Sequence, residues 1–172
     1  ADESFEIWSL GSQMRRVPRL TRGFELHTDA FLQTVHGEKW AEFREFLQGL
    51  KVPLYRQEVS ADYPTSARYP LERATRACFG IEDPFGERKP LWTNSIQYML
   101  ALAAIEGFTD VHLYGVDMAH RLEYVLQRHG VTFLIGLLMG HGINVYLPPL
   151  CGLMHADHVY GYQEEPTTLS AE

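Results

Sequence analysis

Two cysteines in 172 residues, Cys78 and Cys151, are too few for a disulfide framework or a cysteine-based zinc cluster. Two buried or free thiols in a reducing compartment is the reading that remains. Positive charge is in the minority: 15 Lys and Arg stand against 22 Asp and Glu, for a formal net charge of -7. That balance lacks the broad basic face of a general nucleic-acid binder. Long apolar runs are missing as well. The longest, around residues 133–139, is too short to cross a bilayer, so no membrane insertion is expected. The opening ADESFEIW has no basic region followed by an apolar one, so no signal peptide is expected, and without a starting Met it reads as trimmed or tagged. Several catalytic signatures are absent: no GxSxG elbow, no P-loop, no GxGxxG and no HExxH. The only tight histidine cluster, His155-Ala156-Asp157-His158, lacks further ligands at metal spacing, so no metal is expected.

Hydrophobic residues make up 45% of the chain and charged residues 22%, which suits a packed globular core. The length fits a single domain over residues 1–163, followed by a flexible polar tail at 164–172. β-branched and aromatic runs predict strands at residues 5–10, 23–27, 52–55, 111–116 and 143–147. Helical spacing predicts a helix after Thr28 or Asp29 that bends at Gly37, and another from Arg121 to Met139. Residues 57–91 hold Pro64, Pro70, Pro84 and Pro90 and read as a long irregular segment with a small helix at 71–79. The most informative stretch is 92–117. Thr93-Asn94-Ser95 caps a helix that is apolar nearly all round, Gly107 ends it, and a buried strand then runs to Asp117.

Alternating strands and helices predict an α/β fold: a single Rossmann-like domain with a five-stranded, mainly parallel sheet in order 3-2-1-4-5 and helices on both faces. Ligands of such sheets bind outside the carboxyl ends of the strands, where the winding reverses. In that order Ser9, Gly11 and Ser12 come from strand one, Glu25 and His27 from strand two, and Asp117 from strand four. Thr93, Asn94 and Ser95 share the rim, where a helix start suits phosphate or carboxylate. The next helix adds Glu123, Tyr124, Gln127 and Arg128, paired four apart on its faces. Plainer roles compete for each: a helix cap for 93–95 and for Asp117, a surface ion network for Glu123 and Arg128, a core position for His27. Arg15, Arg16 and Arg19 could face a phosphate but read more simply as solvated.

The stretch TNSIQYMLALAAIEGFTDVHLYGVDM, residues 93–118, resembles bacterial sialyltransferases of the lipooligosaccharide type. Over residues 5–162 the chain resembles a group of small Rossmann-like phage and prophage proteins of unsettled activity, through GFELH, GVDM, EYVLQR and FLIG. The first turn, Leu10-Gly11-Ser12-Gln13, departs from the Gly-Asn-Gly type of the sialyltransferases, and no long lid separates Asp117 from the next helix. The resemblance implies a crevice for a nucleotide or nucleotide-sugar and a cytoplasmic location in a bacterial or phage-infected host cell. Two expectations follow from it. One is a glycosyltransferase-like enzyme: His27 or Glu25 as general base, Asp117 with Glu123 on sugar or ribose hydroxyls, Arg128 against phosphate. The other is a non-catalytic phage accessory module that binds a small nucleotide or a host protein. A homo-oligomer is a further expectation, built on the apolar 133–139 face and Tyr160 and Tyr162.

Overall fold

A computed structural model describes residues 4–118, 122–156, 159 and 161–162, the side chains of 122–126 excepted. The expected tail, His120, Arg121, Asp157, His158 and Tyr160 lie outside the described residues. The chain forms two compact units, Ala1–Phe108 and Thr109–Glu172.

The first unit holds four short parallel strands, β1 (Trp8–Leu10), β2 (Arg22–Phe24), β3 (Leu54–Arg56) and β4 (Ser66–Arg68), hydrogen-bonded in the order β1-β2-β3-β4. Parallel neighbours need a crossover. A 3-10 turn at Gly11–Arg16 lies between β1 and β2. Helices α1 (Asp29–His36) and α2 (Trp40–Gln48) lie between β2 and β3. The bend between them falls where the sequence places it, at Gly37, whose φ is +53°. Their apolar faces build the core: Leu32, Phe43 and Leu47 meet Met14, Leu54 and Tyr63, all at most 3% exposed. Full burial of each such aliphatic side chain contributes about 1.5–3 kcal/mol. A Cβ at Gly23 would sit 2.6 Å from the Met14 sulfur, so a larger residue there would make the Met14 side chain shift.

Helix α3 (Leu71–Phe79) ends at Gly80, whose φ of +63° closes the helix. Helix α4 (Ser95–Glu106) packs against α3 and touches β1. Leu100, Ala101, Leu102 and Ala103 are all buried, as its all-round apolar sequence requires. Between them runs a line of aromatic contacts: Tyr69 on Tyr98 at 5.0 Å, Tyr98 stacked on Trp92 at 4.5 Å, Trp92 on Phe79 at 5.0 Å.

The second unit pairs β5 (Asp110–His112) with β6 (Asn144–Tyr146) in parallel, joined through α5 (Leu122–Gly140). Val131, Leu134, Ile135 and Leu138 of α5 are fully buried, together with Leu153. Among the described residues no helix is long and apolar enough to cross a membrane.

The expected single sheet of five strands is therefore corrected: the strands form one sheet of four and one of two. Adjacency within each run is as read, with the first three strands side by side and the last two paired. Two causes explain the difference. β4 (Ser66–Arg68) takes the outer edge of β3, inside what the sequence presents as an irregular segment. β5 is also not the centrally buried strand expected at 111–116: it is three residues long, and its Asp110 and His112 are exposed. A strand covered on both faces carries a near-continuous apolar run, which Asp110-Val111-His112 does not.

Arg22 opens β2 and is a polar junction of the first unit. Its guanidinium donates to Glu6 (2.9 Å), Glu106 (2.6 Å) and the Tyr55 hydroxyl (3.3 Å), and lies 4.7 Å from the Trp8 ring centre. Burial works against the Glu6 carboxylate, but the bonds from Arg22 and Trp8 and the Arg22 charge hold its carboxyl below the ordinary value. Arg22→Met leaves both carboxylates without their shared cation. The expected loss is about 2 kcal/mol, the size of the charged hydrogen bonds removed, with allowance for the solvent that reaches Glu6. It is read as a lower urea midpoint at unchanged slope. A carboxyl held low in the folded state stabilises above the ordinary carboxylate range and loses that contribution as pH falls through its lowered value. Glu6→Gln is accordingly less stable than the parent at neutral pH, and the two converge in acid.

Candidate functional site

All four strands of the first sheet run the same way, so their carboxyl ends share one edge, the edge where open parallel sheets bind ligands. β1 leads there into Gly11, which takes a φ of +53° to start the 3-10 turn. β2 leads into Glu25 and His27, and β3 ends in Arg56 and Gln57.

Glu25 is a carboxylate only 4% exposed. Its Oε1 accepts from the His27 backbone N–H at 3.2 Å and lies 2.8 Å from the His27 Nδ1. Its Oε2 faces Gly11, 3.8 Å from where a Cβ on that residue would sit. A buried carboxylate needs donors, and the imidazole supplies one. The carboxylate accepts, so the Nδ1 nitrogen carries the hydrogen, and in the neutral ring Nε2 then keeps its lone pair. The ring is half exposed and stacks on Phe31 with centroids 4.6 Å apart.

A second layer sits behind the pair. Arg56, 7% exposed, donates to Asp29 Oδ1 at 2.6 Å and to the His27 carbonyl at 3.4 Å. Its guanidinium lies 4.2 Å from the Tyr63 ring centre, and the Tyr63 hydroxyl donates to Asp29 Oδ2 at 2.8 Å. Burial raises the Tyr63 phenol above its ordinary value, and the bond to Asp29 and its charge add to this, so the hydroxyl stays protonated and donates. Gln57 Nε2 holds the Leu26 carbonyl at 2.6 Å. The turn bearing His27 is thus held at two carbonyls by the end of β3. Asp29, Arg56, Tyr63 and Gln57 do not figure among the expected site residues. The one sequence signal was an arginine closing the apolar run Pro53-Leu54-Tyr55.

The other expected positions have more local roles. Ser9 lies within β1 opposite Gly23, and Ser12 is exposed in the 3-10 turn. Asn94 caps α4, its Oδ1 accepting from the N–H groups of Ile96 (3.0 Å) and Gln97 (3.2 Å). Thr93 donates from its N–H and its hydroxyl to the buried Gln97 side chain, each at 2.7 Å, while Ser95 opens the helix. Two of the backbone donors expected to receive an anion are thus already held by Asn94.

Asp117 and Arg128 belong to the second unit, where they hold one short segment. Asp117 Oδ1 accepts from the Gly152 N–H at 2.6 Å. Arg128 donates through Nε to the Leu153 carbonyl at 3.0 Å and through Nη2 to the Gly152 carbonyl. Cys151 adds a bond from its thiol to the Val116 carbonyl at 3.0 Å. These contacts clamp the 3-10 turn Gly152–Met154 against α5. Gln127 is half-buried on α5, and the side chains of Glu123 and Tyr124 lie outside the described residues. Among the described residues, no cluster of three or more His, Cys, Asp or Glu is placed to hold a metal ion.

Comparison with protein-family models, curated proteins and solved structures finds no match to this chain.

The clamp yields a local expectation. Arg128→Ala removes two bonds to the 152–153 carbonyls. Amide exchange across residues 151–154 is expected to speed up by roughly tenfold or more, the scale of one charged hydrogen bond, while exchange in β2 and β3 stays unchanged. Mass spectrometry of the exchanged peptides measures both.

Proposed function

We propose that this chain binds a nucleotide or nucleotide-sugar and acts as a glycosyltransferase-like enzyme, with His27 as general base and Glu25 as the residue that orients it. The observation that carries the reading is the 2.8 Å contact between the buried Glu25 carboxylate and His27 Nδ1 at the carboxyl edge of a parallel sheet. A base must be in the right tautomer and offer its lone pair to substrate. Glu25 fixes the first condition, and the half-exposed ring meets the second. In the proposed step Nε2 takes the proton of an acceptor hydroxyl and the oxygen attacks the anomeric carbon. The bond from that carbon to the phosphate oxygen breaks, and the nucleotide leaves with the electron pair.

The parallel α/β architecture supports the substrate class, as does the resemblance of residues 93–118 to the lipooligosaccharide sialyltransferases. The geometry narrows the cast. Asp117 and Arg128 have structural partners in the 151–154 segment, so their expected contacts with sugar and phosphate carry less of the reading than the Glu25–His27 pair. The phage resemblance and an accessory role stand as the alternative that the same experiment decides.

Thermal-shift assays with a panel of nucleotides and nucleotide-sugars, followed by mass spectrometry of the recovered ligand, test the reading. A stabilising ligand that is turned over is the expected result. His27→Ala then lowers turnover by about 10²-fold or more while the thermal shift persists. Glu25→Gln lowers it in the same direction. A ligand that binds and is recovered unchanged even with a panel of sugar acceptors present identifies a non-catalytic module, and no thermal shift with any member of the panel sinks the proposal.

A further inference from the structure

The small sheet of the second unit carries a side-chain patch that no step above uses. Its two strands pair Asp110 with Asn144 and His112 with Tyr146. These four side chains are exposed, while Val111 and Val145 between them are only partly so. Tyr114, two residues beyond His112, completes the group. The ring centroids of His112, Tyr114 and Tyr146 form a triangle with sides of 5.1, 5.9 and 6.4 Å. The rings are inclined to one another by 42°, 50° and 54°. Tyr114 is 67% exposed and Tyr146 43%. Asp110 shares this side of the sheet, with bonds from the Asn144 amide at 3.0 Å and the Thr109 hydroxyl at 2.7 Å.

We propose that His112, Tyr114 and Tyr146, with Asp110 beside them, form a binding site for a trimethylammonium group. Aromatic faces carry negative potential, and several inclined faces gathered at one place attract a single cation more than one flat ring does. The bonds from Thr109 and Asn144 hold the Asp110 carboxyl below its ordinary value, so the charge beside the rings is a carboxylate. That local carboxylate favours a cation and disfavours a phosphate-bearing base, the other ligand that stacks on such rings. A protein interface is the less suited occupant. Its core is apolar, whereas the exposed side chains of these two strands are an acid, an amide and two polar-tipped rings. A trimethylammonium group is weakly hydrated and meets the rings with its methyls, unlike a primary ammonium, which holds its water.

The proposal stands on residues separate from Glu25 and His27, so His27→Ala is expected to leave it intact. The test is a solution NMR titration of the full chain, following tyrosine ring signals. Choline is compared with 3,3-dimethylbutan-1-ol, which has the same shape without the charge, and with free trimethyllysine. Saturable, millimolar binding of choline but not of the alcohol is expected. Tyr114→Ala, at an exposed position outside the strands, is expected to weaken it about threefold, the scale of one exposed cation–ring contact. Asp110→Asn should weaken it as well. Tighter binding of trimethyllysine than of choline assigns the group to a peptide side chain; the reverse order assigns it to a choline headgroup. Equal binding of the neutral alcohol overturns the proposal, as does no binding of either cation. A dimer seen by light scattering that Tyr114→Ala abolishes, with no cation effect, also overturns it and makes the patch an interface between copies.

Discussion

The first unit depends on one partly buried charge. Arg22 lies at the start of β2, between the Trp8 ring and the Glu6 and Glu106 carboxylates, with only 18% of its side chain exposed. Taking a guanidinium out of water costs several kcal/mol, and the cost is offset only when its donors are met. Here the acceptors come from the segment before β1, from the end of α4, and from Tyr55 on β3. Each belongs to a different element, so satisfying one guanidinium fixes three elements around β2. The rings of Trp8 and Phe108 also meet edge to face beside it at 5.2 Å. The same strand that is anchored there leads, three residues on, to Glu25. The rigidity that the proposed base would require is supplied at the opposite end of β2 from His27.

Elements governed by local chemistry were legible in the sequence. α3 runs from Leu71 to Phe79 because Pro70 and Gly80 bracket it, and the α1–α2 bend falls at Gly37 for the same kind of reason. The α4 cap at Asn94 and its end at Gly107 could be read directly. What escaped was set by distance along the chain. β4 is Ser66-Ala67-Arg68, with no apolar alternation to mark a strand; its pairing with β3 is what makes it one. Arg56 did not stand out because its partners, Asp29 and Tyr63, lie 27 residues before it and 7 after it. The reading of 111–116 as a buried central strand rested on the run Val111-His112-Leu113-Tyr114-Gly115-Val116. It gave too little weight to the polar face formed by Asp110 and His112.

The candidate site shows the same division. Glu25 and His27 lie two apart at the end of a strand, so their meeting was inferable once β2 was placed. The helix start at 93–95 illustrates the converse. Free backbone donors attract an anion only while they are free, and Asn94 and Gln97 satisfy much of that end from within. Asp117 follows the pattern of a ligand-binding aspartate at a strand end, yet its carboxylate accepts from the Gly152 backbone. Position in a motif narrows which residues can act, but the hydrogen bonds decide which are already committed to holding the fold.

On that criterion His27 stands apart. Its ring is held by the Glu25 carboxylate through Nδ1 and by stacking on Phe31, and its own carbonyl is held by Arg56. Arg56 is in turn fixed by Asp29, and Asp29 by Tyr63. A histidine half in solvent gains little stability from so many restraints, and burying the Glu25 and Arg56 charges carries a desolvation cost. The arrangement fixes one ring with its Nδ1 side against Glu25, and in the neutral ring this leaves Nε2 with its lone pair, the condition general-base chemistry imposes. The restraint on the ring, more than the presence of a histidine at a sheet edge, is what favours a catalytic role over a structural one.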